Sequence, residues 1–261
     1  MRRMIAIHCE NNGVRKSWEL GTSLTEIAQD LHIELDHPIV GALVNNELKE
    51  LDYNIFKPKQ VRFIDVTHPD GMRMVVRSLC FLMHKAVTDL FPQAFLLVQH
   101  SVSRGFYCEL ACMEEPLTDE VVDRIRNRMR ELVEMDLPFH RQEVETEQAV
   151  RRFAEAGMYI KSRLFASRVE LFTSIYELGG TIGYYYGYLV PSTGVLQVFD
   201  VVKYFDGLLL RFPRGDDPTR LEDVVRQDKM FDIFQEHKRW AEILKLAYVS
   251  NLNDRIDEGH G

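Results

Sequence analysis

The chain has 261 residues, 46% of them hydrophobic and 28% charged, which is the balance of a globular protein with one or two domains. No apolar run approaches the roughly 18–20 residues that a membrane-spanning helix needs, so the sequence excludes that kind of membrane protein. The formal net charge of −8 disfavours a dedicated nucleic-acid binder, because such binders neutralise phosphates with an excess of Lys and Arg.

The cysteine content points to the compartment. Four cysteines in a chain of this length suggest no disulfide framework, so the sequence favours the reducing cytoplasm.

The first 68 residues predict two hairpins around one short helix. Asn11-Asn12-Gly13 is a strong hairpin turn, and Ser23 followed by Glu26 is a capping box that starts a helix. The predicted elements are, in chain order, strands at 4–9 and 14–20, a helix from residue 24, strands within 39–48 around Asn45-Asn46, and a strand at 60–66.

The remaining residues predict a larger α+β region with a mostly antiparallel sheet. The predicted elements are a helix at 72–91, a hairpin at 94–112 around Ser103-Arg104-Gly105, a helix at 119–135 capped by Thr118, a strand at 139–145, a short helix capped by Thr146, and strands within 167–210 that include the tyrosine-rich stretch 184–188 and STGVLQVFDV. A linker at Arg214–Pro218 precedes a predicted helix at 219–249.

Four arginines alternate through the helix at 119–135: Arg124, Arg126, Arg128 and Arg130. They could contact nucleic acid, or they could form a solvated face of mixed charge. Residues 118–168 hold ten basic and ten acidic side chains, so the second interpretation is favoured and RNA binding is not expected.

Two stretches of the first 68 residues, ELGTSLTEIAQDL and GALVNNELKELDYNIFKPKQVRFI, resemble the TGS domain, a ubiquitin-like β-grasp module. The resemblance implies a ligand- or partner-sensing domain at residues 1–68 that has no chemistry of its own.

Residues 69–213 resemble the second additional domain of threonyl-tRNA synthetases, an editing-type α+β domain with an antiparallel sheet, like that of alanyl-tRNA synthetases. The stretches that carry the resemblance are RSLCFLMHKAV, SRGFYCEL, LTDEVVDRIRNRMRELVEMDLPFHRQEVE and YYGYLVPS. In that family two histidines four residues apart on a helix, with a later Cys and His, form a metal-like centre that hydrolyses mischarged seryl-tRNA.

Those four family positions fall on Arg77, Phe81, Tyr185 and Leu189 here. A guanidinium stays protonated and has no lone pair to donate, and Phe and Leu carry no ligand atom. A zinc site needs three or four ligands, and only Tyr185 could supply one. The resemblance therefore implies neither a metal ion nor catalytic residues in this chain.

A ligand pocket without chemistry is expected in the same place. The candidate lining residues are Arg77, Phe81, His84, Tyr185, Tyr186 and Tyr188. Arg77 would recognise a nucleotide or another small anionic ligand, and the tyrosines would stack on a base or ribose. The alternative is that these side chains are ordinary core and surface residues, and a structural role is favoured for His84.

The resemblance extends to the N-terminal half of bacterial nucleoside kinases of the uridine kinase type. Three stretches carry it: VVKYFDG at 201–207, LRFP at 210–213 and EHKRW at 236–240. No G-x-x-x-x-G-K-[ST] motif occurs in the chain, so ATP and Mg²⁺ are expected only in a downstream kinase domain. Residues 214–261 would then be a helical extension toward that domain.

The leading hypothesis is a non-catalytic regulatory or ligand-recognition region. Two alternatives stay open. One is a tRNA- or RNA-binding adaptor that uses the arginine helix. The other is a residual aminoacyl-tRNA deacylase with water held by the tyrosine hydroxyls and His84.

Overall fold

The computed structural model describes residues 3–244, 251 and 256, and its chain begins with the predicted β-hairpin. β1 (Met4–Cys9) pairs antiparallel with β2 (Arg15–Glu19). Gly13 in the connecting turn has a φ of +73°, a conformation that costs glycine little and other residues more. The Asn-Asn-Gly turn that the sequence predicts is confirmed.

Helix α1 (Leu24–Asp30) begins at the predicted capping box. The Ser23 side chain accepts a hydrogen bond from the backbone N–H of Glu26, and the Glu26 carboxylate accepts one from the backbone N–H of Ser23. Two amides that the first turn cannot satisfy are thereby bonded. Leu24 and Ile27 of α1 are fully buried in the hydrophobic core of this region.

Three further strands complete the first sheet: β3 (Gly41–Val44), β4 (Glu47–Lys49) and β5 (Lys59–Ile64). The strand order is β2-β1-β5-β3-β4, with β1 and β5 parallel and the other neighbours antiparallel. Asn45 and Asn46 form the predicted turn between β3 and β4, with φ values of +50° and +66°. Asparagine tolerates this left-handed conformation better than most residues do.

The second sheet is antiparallel and lies against two helices. The elements are α2 (Pro69–Leu90), β6 (Phe95–Val102), β7 (Gly105–Ala111), α3 (Asp119–Glu134), β11 (Asp200–Tyr204) and β12 (Gly207–Arg211). The strand order is β11-β12-β7-β6, and α3 packs against both α2 and β11. The predicted α+β class with mostly antiparallel sheets is confirmed. Helix α2 begins before the predicted residue 72, because His68 caps it and Pro69 fits its first position.

The chain forms two compact units, and the elements above belong to the first. That unit comprises the residues up to Phe139 together with Tyr185–Asp223, and the second comprises His140–Tyr184 together with the residues from Val224 on. The second unit contains β8 (His140–Glu145), α4 (Thr146–Glu155), α5 (Tyr159–Ala166), β9 (Phe172–Leu178), β10 (Thr181–Gly183) and α6 (Asp228–Ile243). Its antiparallel sheet has the order β10-β9-β8, and Phe153 and Phe165 are buried beside it.

Two predicted elements in residues 184–201 are wrong. The stretch 184–188 is a loop, not a strand, and Gly187 has a φ of +115°, which interrupts any strand geometry. STGVLQVFDV forms a 3-10 turn at Thr193–Val195, and strand β11 begins only at Asp200. The β-branched and aromatic residues suggested strands, but close contacts with other segments hold this backbone in loop conformations.

Two helix predictions also need correction. Thr146 is the first residue of α4 and not its cap, because its hydroxyl donates to the backbone carbonyl of Glu170. The helix predicted at 219–249 covers only Asp228–Ile243 among the described residues, and residues 245–249 lie outside them. Arg211 donates to the backbone carbonyl of Glu222, and Arg214 forms an ion pair with its carboxylate. These contacts hold the preceding segment in a non-helical path.

In the part of the chain that the structure describes, no helix combines the length and the apolar character required to cross a membrane.

Candidate functional site

The candidate site lies where helix α2 meets the loop at 185–190, and one buried serine joins the two. Ser78 Oγ donates to the carbonyl of Met74 at 2.8 Å and accepts from the backbone N–H of Val190 at 2.9 Å. Both Ser78 and Val190 are buried, so an unbonded amide here would be costly. The loop is therefore fixed to the helix at this point.

One helical turn separates Arg77 from Phe81, and Arg77 lies against the loop backbone. Its Nη1 donates to the carbonyl of Tyr188 at 3.3 Å. A Cβ added at Gly187 would lie 2.8 Å from the Arg77 Cζ, closer than real contacts allow. The half-buried guanidinium thus packs against the backbone of Gly187, where any larger residue would clash with it.

Phe81 and Tyr185 fill the space beside Arg77 with aromatic rings. Phe81 is fully buried, with ring centroids 5.1 Å from Tyr185 and 5.9 Å from Phe139. The His84 ring stacks on Phe81, with ring centroids 6.1 Å apart. Distances of this kind are typical of favourable aromatic pairs, so the cluster is a packed part of the core.

Burial keeps the Tyr185 phenol and the nearby Cys80 thiol neutral. Desolvation raises the pKa of the Tyr185 phenol well above its usual value, with a smaller contribution from the nearby Cys80. Burial also raises the pKa of the Cys80 thiol to about 12. Neither group therefore offers an anionic oxygen or sulfur near neutral pH.

The residues present do not fit the metal-like centre of the editing family. The Arg77 guanidinium is held by Tyr188 and Gly187, Phe81 is enclosed by rings, and Leu189 is buried. Among the described residues, no group of three or more His, Cys, Asp or Glu side chains could hold a metal ion. Cys108 is buried in β7, whereas Cys112 is exposed beyond the end of that strand.

The structure brings together most of the predicted lining residues. Phe81 contacts His84 and Tyr185, and Arg77 contacts the backbone of Tyr188. Tyr186 is not packed into this cluster, since the residue is 88% exposed. Whether a ligand enters here stays a prediction.

Sequence reasoning missed three residues that shape the site. Ser78, Phe139 and Gly187 all contact it, but none carries an ionisable group that would have marked it as a site residue. A serine within the apolar stripe of α2 was a usable signal, because a buried hydroxyl needs a hydrogen-bond partner. The glycine inside the tyrosine run was a second signal, because it permits a positive φ.

The arginine helix α3 is largely neutralised by acidic neighbours. Arg124 pairs with Glu115 at 2.9 Å, and Arg128 pairs with both Asp89 and Glu131 at 2.8 Å. Arg126 pairs with Asp123 and lies 3.6 Å from Asp200. These ion pairs leave little excess positive charge for a phosphate backbone.

Fold and site together define an α+β protein in which a helix and a tyrosine-rich loop enclose an aromatic cluster. The curated proteins similar to this chain include threonine–tRNA ligases of Alkalilimnicola ehrlichii (28% identical over 193 residues), Marinobacter nauticus (30% over 193) and Burkholderia multivorans (28% over 201). The matched segments cover 74–77% of this chain. The comparison with models of protein families finds no match.

The chain therefore contains a region homologous to threonine–tRNA ligases. It spans only about 30% of the length of these relatives. These relatives are ligases of threonine and tRNA, and the similarity concerns less than a third of such an enzyme.

Proposed function

We propose that this chain is a non-catalytic ligand-recognition or regulatory module derived from an editing-type domain of threonyl-tRNA synthetases. One observation carries the proposal: Phe81 and Tyr185, at two positions that supply ligands in that family, pack against each other at 5.1 Å between ring centroids. In this proposal their rings fill the space in which a hydrolytic centre would hold a metal ion and water.

The domain organisation forms part of the proposal. Residues 1–68 would be a TGS-type β-grasp domain, 69–213 the degenerate editing-like domain, and 214–261 an extension. The strand order β2-β1-β5-β3-β4, with a parallel central pair β1–β5 and helix α1 between β2 and β3, supports the first assignment. The homology to threonine–tRNA ligases supports the second.

The proposed ligand is a nucleotide or another small anion that contacts Arg77 at the surface of the aromatic cluster. The Arg77 guanidinium is half-buried and positioned by the loop, and a planar guanidinium suits phosphate or carboxylate. The exposed Tyr186 ring lies one residue from the loop glycine that contacts Arg77, so it could stack on a base.

The parent protein is proposed to be a cytoplasmic nucleoside kinase in which ATP and Mg²⁺ bind a downstream domain. The resemblance of 201–207, 210–213 and 236–240 to kinases of the uridine kinase type supports this assignment. All four cysteines are free thiols, which agrees with a reducing compartment.

Calorimetry and thermal shift with nucleosides and 5′-nucleotides test the ligand proposal. We expect at least one nucleotide to bind, and we expect Arg77→Ala to weaken binding at least about tenfold, the loss of one charge-assisted hydrogen bond. Arg73→Ala is the matched control, because Arg73 lies one turn earlier on α2, is exposed and pairs with Asp70. Its affinity should stay within about twofold of the unmodified protein.

Two results would contradict the proposal. One is the absence of heat and thermal shift with every nucleoside and nucleotide tested. The other is an equal loss of affinity in both variants, which would indicate a general effect of charge. Urea denaturation of each variant identifies losses of affinity that arise from unfolding.

A further inference from the structure

Helix α6 carries an apolar row of large side chains that stay exposed. Met230 is 43% exposed, and four further residues are each more than half exposed: Ile233, Trp240, Ile243 and Leu244. Single exposed apolar residues are ordinary on a protein surface, but several together on one helix mark a surface that another molecule covers.

Four members of the apolar row have the spacing of a coiled-coil seam. With His237 they follow one another at steps of three and four residues, which are the a and d positions of a heptad: Met230, Ile233, His237, Trp240 and Leu244. His237 is exposed as well. Leu244 keeps the helical geometry, because its backbone N–H donates to the Trp240 carbonyl at 3.0 Å.

A second face of α6 is already covered by its own chain. Phe231 is buried, and Phe234 and Ala241 are half-buried on the same side of the helix. At about 100° per residue, this buried face lies roughly a quarter turn around the helix from the apolar row. The apolar row is therefore a separate surface that a partner can cover.

The charges of α6 favour a second copy of the same helix in antiparallel orientation. Residues 228–236 contain three acidic side chains and one Lys, whereas residues 237–243 contain one Lys, one Arg and one Glu. In an antiparallel pair the acidic half of each helix faces the basic half of the other, and the two helix dipoles are also opposed. In a parallel pair, like charges would meet.

The area of the apolar row is sufficient for a weak dimer. Five large side chains that are each about half exposed offer on the order of 500 Å² per copy, since large side chains such as Trp bury about 150–250 Å² when fully covered. Two copies would then bury roughly 1,000 Å², the lower limit for a specific interface. An interface of this size fits a reversible complex of micromolar affinity.

We propose that α6 is a self-association surface, on which a second copy of this chain docks its own α6 in antiparallel orientation. Ile233 and Trp240 of both helices would lie in the contact. Large aromatic side chains at the centre of an interface commonly contribute most of its binding energy. The inference does not rest on the function proposed above, since no residue of α6 belongs to the cluster around Arg77.

Sedimentation velocity of the full chain between about 2 and 200 μM tests the inference. We expect monomer at the low end and mostly dimer at the high end, with a dissociation constant on the order of 10 μM. Ile233→Asp and Trp240→Asp should each weaken the dimer at least about tenfold, because each places a charge in an apolar contact. Val169→Asp is the matched control, since Val169 is also exposed and apolar but lies outside α6. It should change the dissociation constant by less than about twofold.

Charge reversal tests the antiparallel orientation. Lys238→Glu/Arg239→Glu should weaken the dimer several-fold, since two acidic halves would then face each other. Adding Asp232→Lys/Glu236→Lys should restore it, because the reversed halves are complementary again. The four-residue variant opposes the helix dipole, so a recovery cannot come from a more stable helix.

Monomer at every concentration would overturn the inference. Association that survives both Asp variants, or that Val169→Asp weakens equally, would do the same, because the contact would then lie elsewhere on the surface. Failure of the four-residue variant to recover would overturn the antiparallel pairing. Ile233→Gln and Trp240→Gln keep the test decisive if an Asp variant loses its circular dichroism signal. Arg77→Ala should leave the dimer unchanged, so the outcome here and that of the nucleotide titration are independent.

Discussion

Glycine is required at position 187 for two reasons, and a substitution by alanine, which adds one methyl group, tests both. Its φ of +115° is strained for any residue with a Cβ, and the added Cβ would meet the Arg77 guanidinium at 2.8 Å. Gly180 shares only the first reason, because its φ is +83° and nothing lies within 4 Å of an added Cβ.

Gly187→Ala should therefore reduce the free energy of unfolding by about 2–3 kcal/mol, whereas Gly180→Ala should reduce it by about 1 kcal/mol. Urea denaturation followed by circular dichroism measures both. In an Arg77→Ala background the two substitutions should cost nearly the same, because the steric partner of Gly187 is gone. An undiminished difference in that background would show that Arg77 does not lie on Gly187.

The cysteines differ sharply in environment and should differ in reactivity. Cys9, Cys80 and Cys108 are buried, and Cys112 is exposed. Because the thiolate is the reactive form, and burial raises the pKa of Cys80 to about 12, this thiol should stay unreactive at pH 8. We expect one fast-reacting thiol in the native protein and four in denaturant, measured with a disulfide reagent. Cys112→Ser should abolish the fast phase.

The same pKa shift gives stability a direction with pH. Above about pH 8.5 an unfolded thiol loses its proton, while folded Cys80 keeps it up to about pH 12. The unfolded state then binds fewer protons than the folded one, so the free energy of unfolding falls by up to about 1.4 kcal/mol per pH unit in this window. Cys80→Ala should make that fall less steep, and an unchanged slope would contradict the burial of the thiol.

At the scale of elements, α3 shows how a sequence pattern changes meaning once its neighbours are known. The four alternating arginines suggested a surface that binds a phosphate backbone. In the structure, however, Arg124, Arg126 and Arg128 form ion pairs with acidic side chains. Arg128 pairs with Asp89, which lies 39 residues earlier on α2, so this neutralisation is visible only in the folded chain.

RNA binding should accordingly be weak. In a fluorescence titration with tRNA at about 0.15 M salt, we expect a dissociation constant above roughly 100 μM, at the weak end of non-specific binding. Arg130→Ala, on the exposed face of the same helix, should change it by less than about threefold. A tight complex whose affinity falls steeply with salt, and falls further in Arg124→Ala/Arg128→Ala, would favour the adaptor alternative.

Local patterns predicted elements well where neighbouring residues decide the conformation. The Asn-Asn-Gly hairpin, the capping box at Ser23 and the Thr118 cap all involve groups within a few residues of each other. The tyrosine stretch was predicted wrongly, because its path is set by bonds to α2. The prediction that a helix begins at residue 219 was wrong for a similar reason, because Arg211 donates a hydrogen bond to the backbone carbonyl of Glu222 in that segment.

At the scale of the whole molecule, the homology indicates a region related to threonine–tRNA ligases, whereas the side chains at the candidate site differ from those that the editing chemistry needs. The chain is 28–30% identical to part of several threonine–tRNA ligases, yet the aromatic cluster leaves no ligand set at the expected place. A fold can persist after its chemistry is lost, because packing and reactivity depend on different residues.

Hydrolysis of seryl-tRNA is the direct test of the proposed loss of hydrolytic activity. We expect the protein to release serine from seryl-tRNA at the rate of buffer alone, since no described group around Tyr185 is anionic near neutral pH. Acid precipitation of labelled seryl-tRNA measures the release, with mild alkali as the positive control. Release above buffer that disappears in Tyr185→Phe would revive the deacylase alternative.

The sequence by itself determined the α+β class, the Asn-Asn-Gly and Asn45-Asn46 turns, the caps at Ser23 and Thr118, and the chemical fact that Arg, Phe and Leu cannot serve as metal ligands at positions 77, 81 and 189. Only the tertiary structure decided that Arg77 meets a loop 111 residues away and that Ser78 bonds an amide 112 residues away. The physical reason is that turns and caps depend on adjacent residues. These contacts instead require distant strands and helices to pack in one arrangement, which no local pattern specifies.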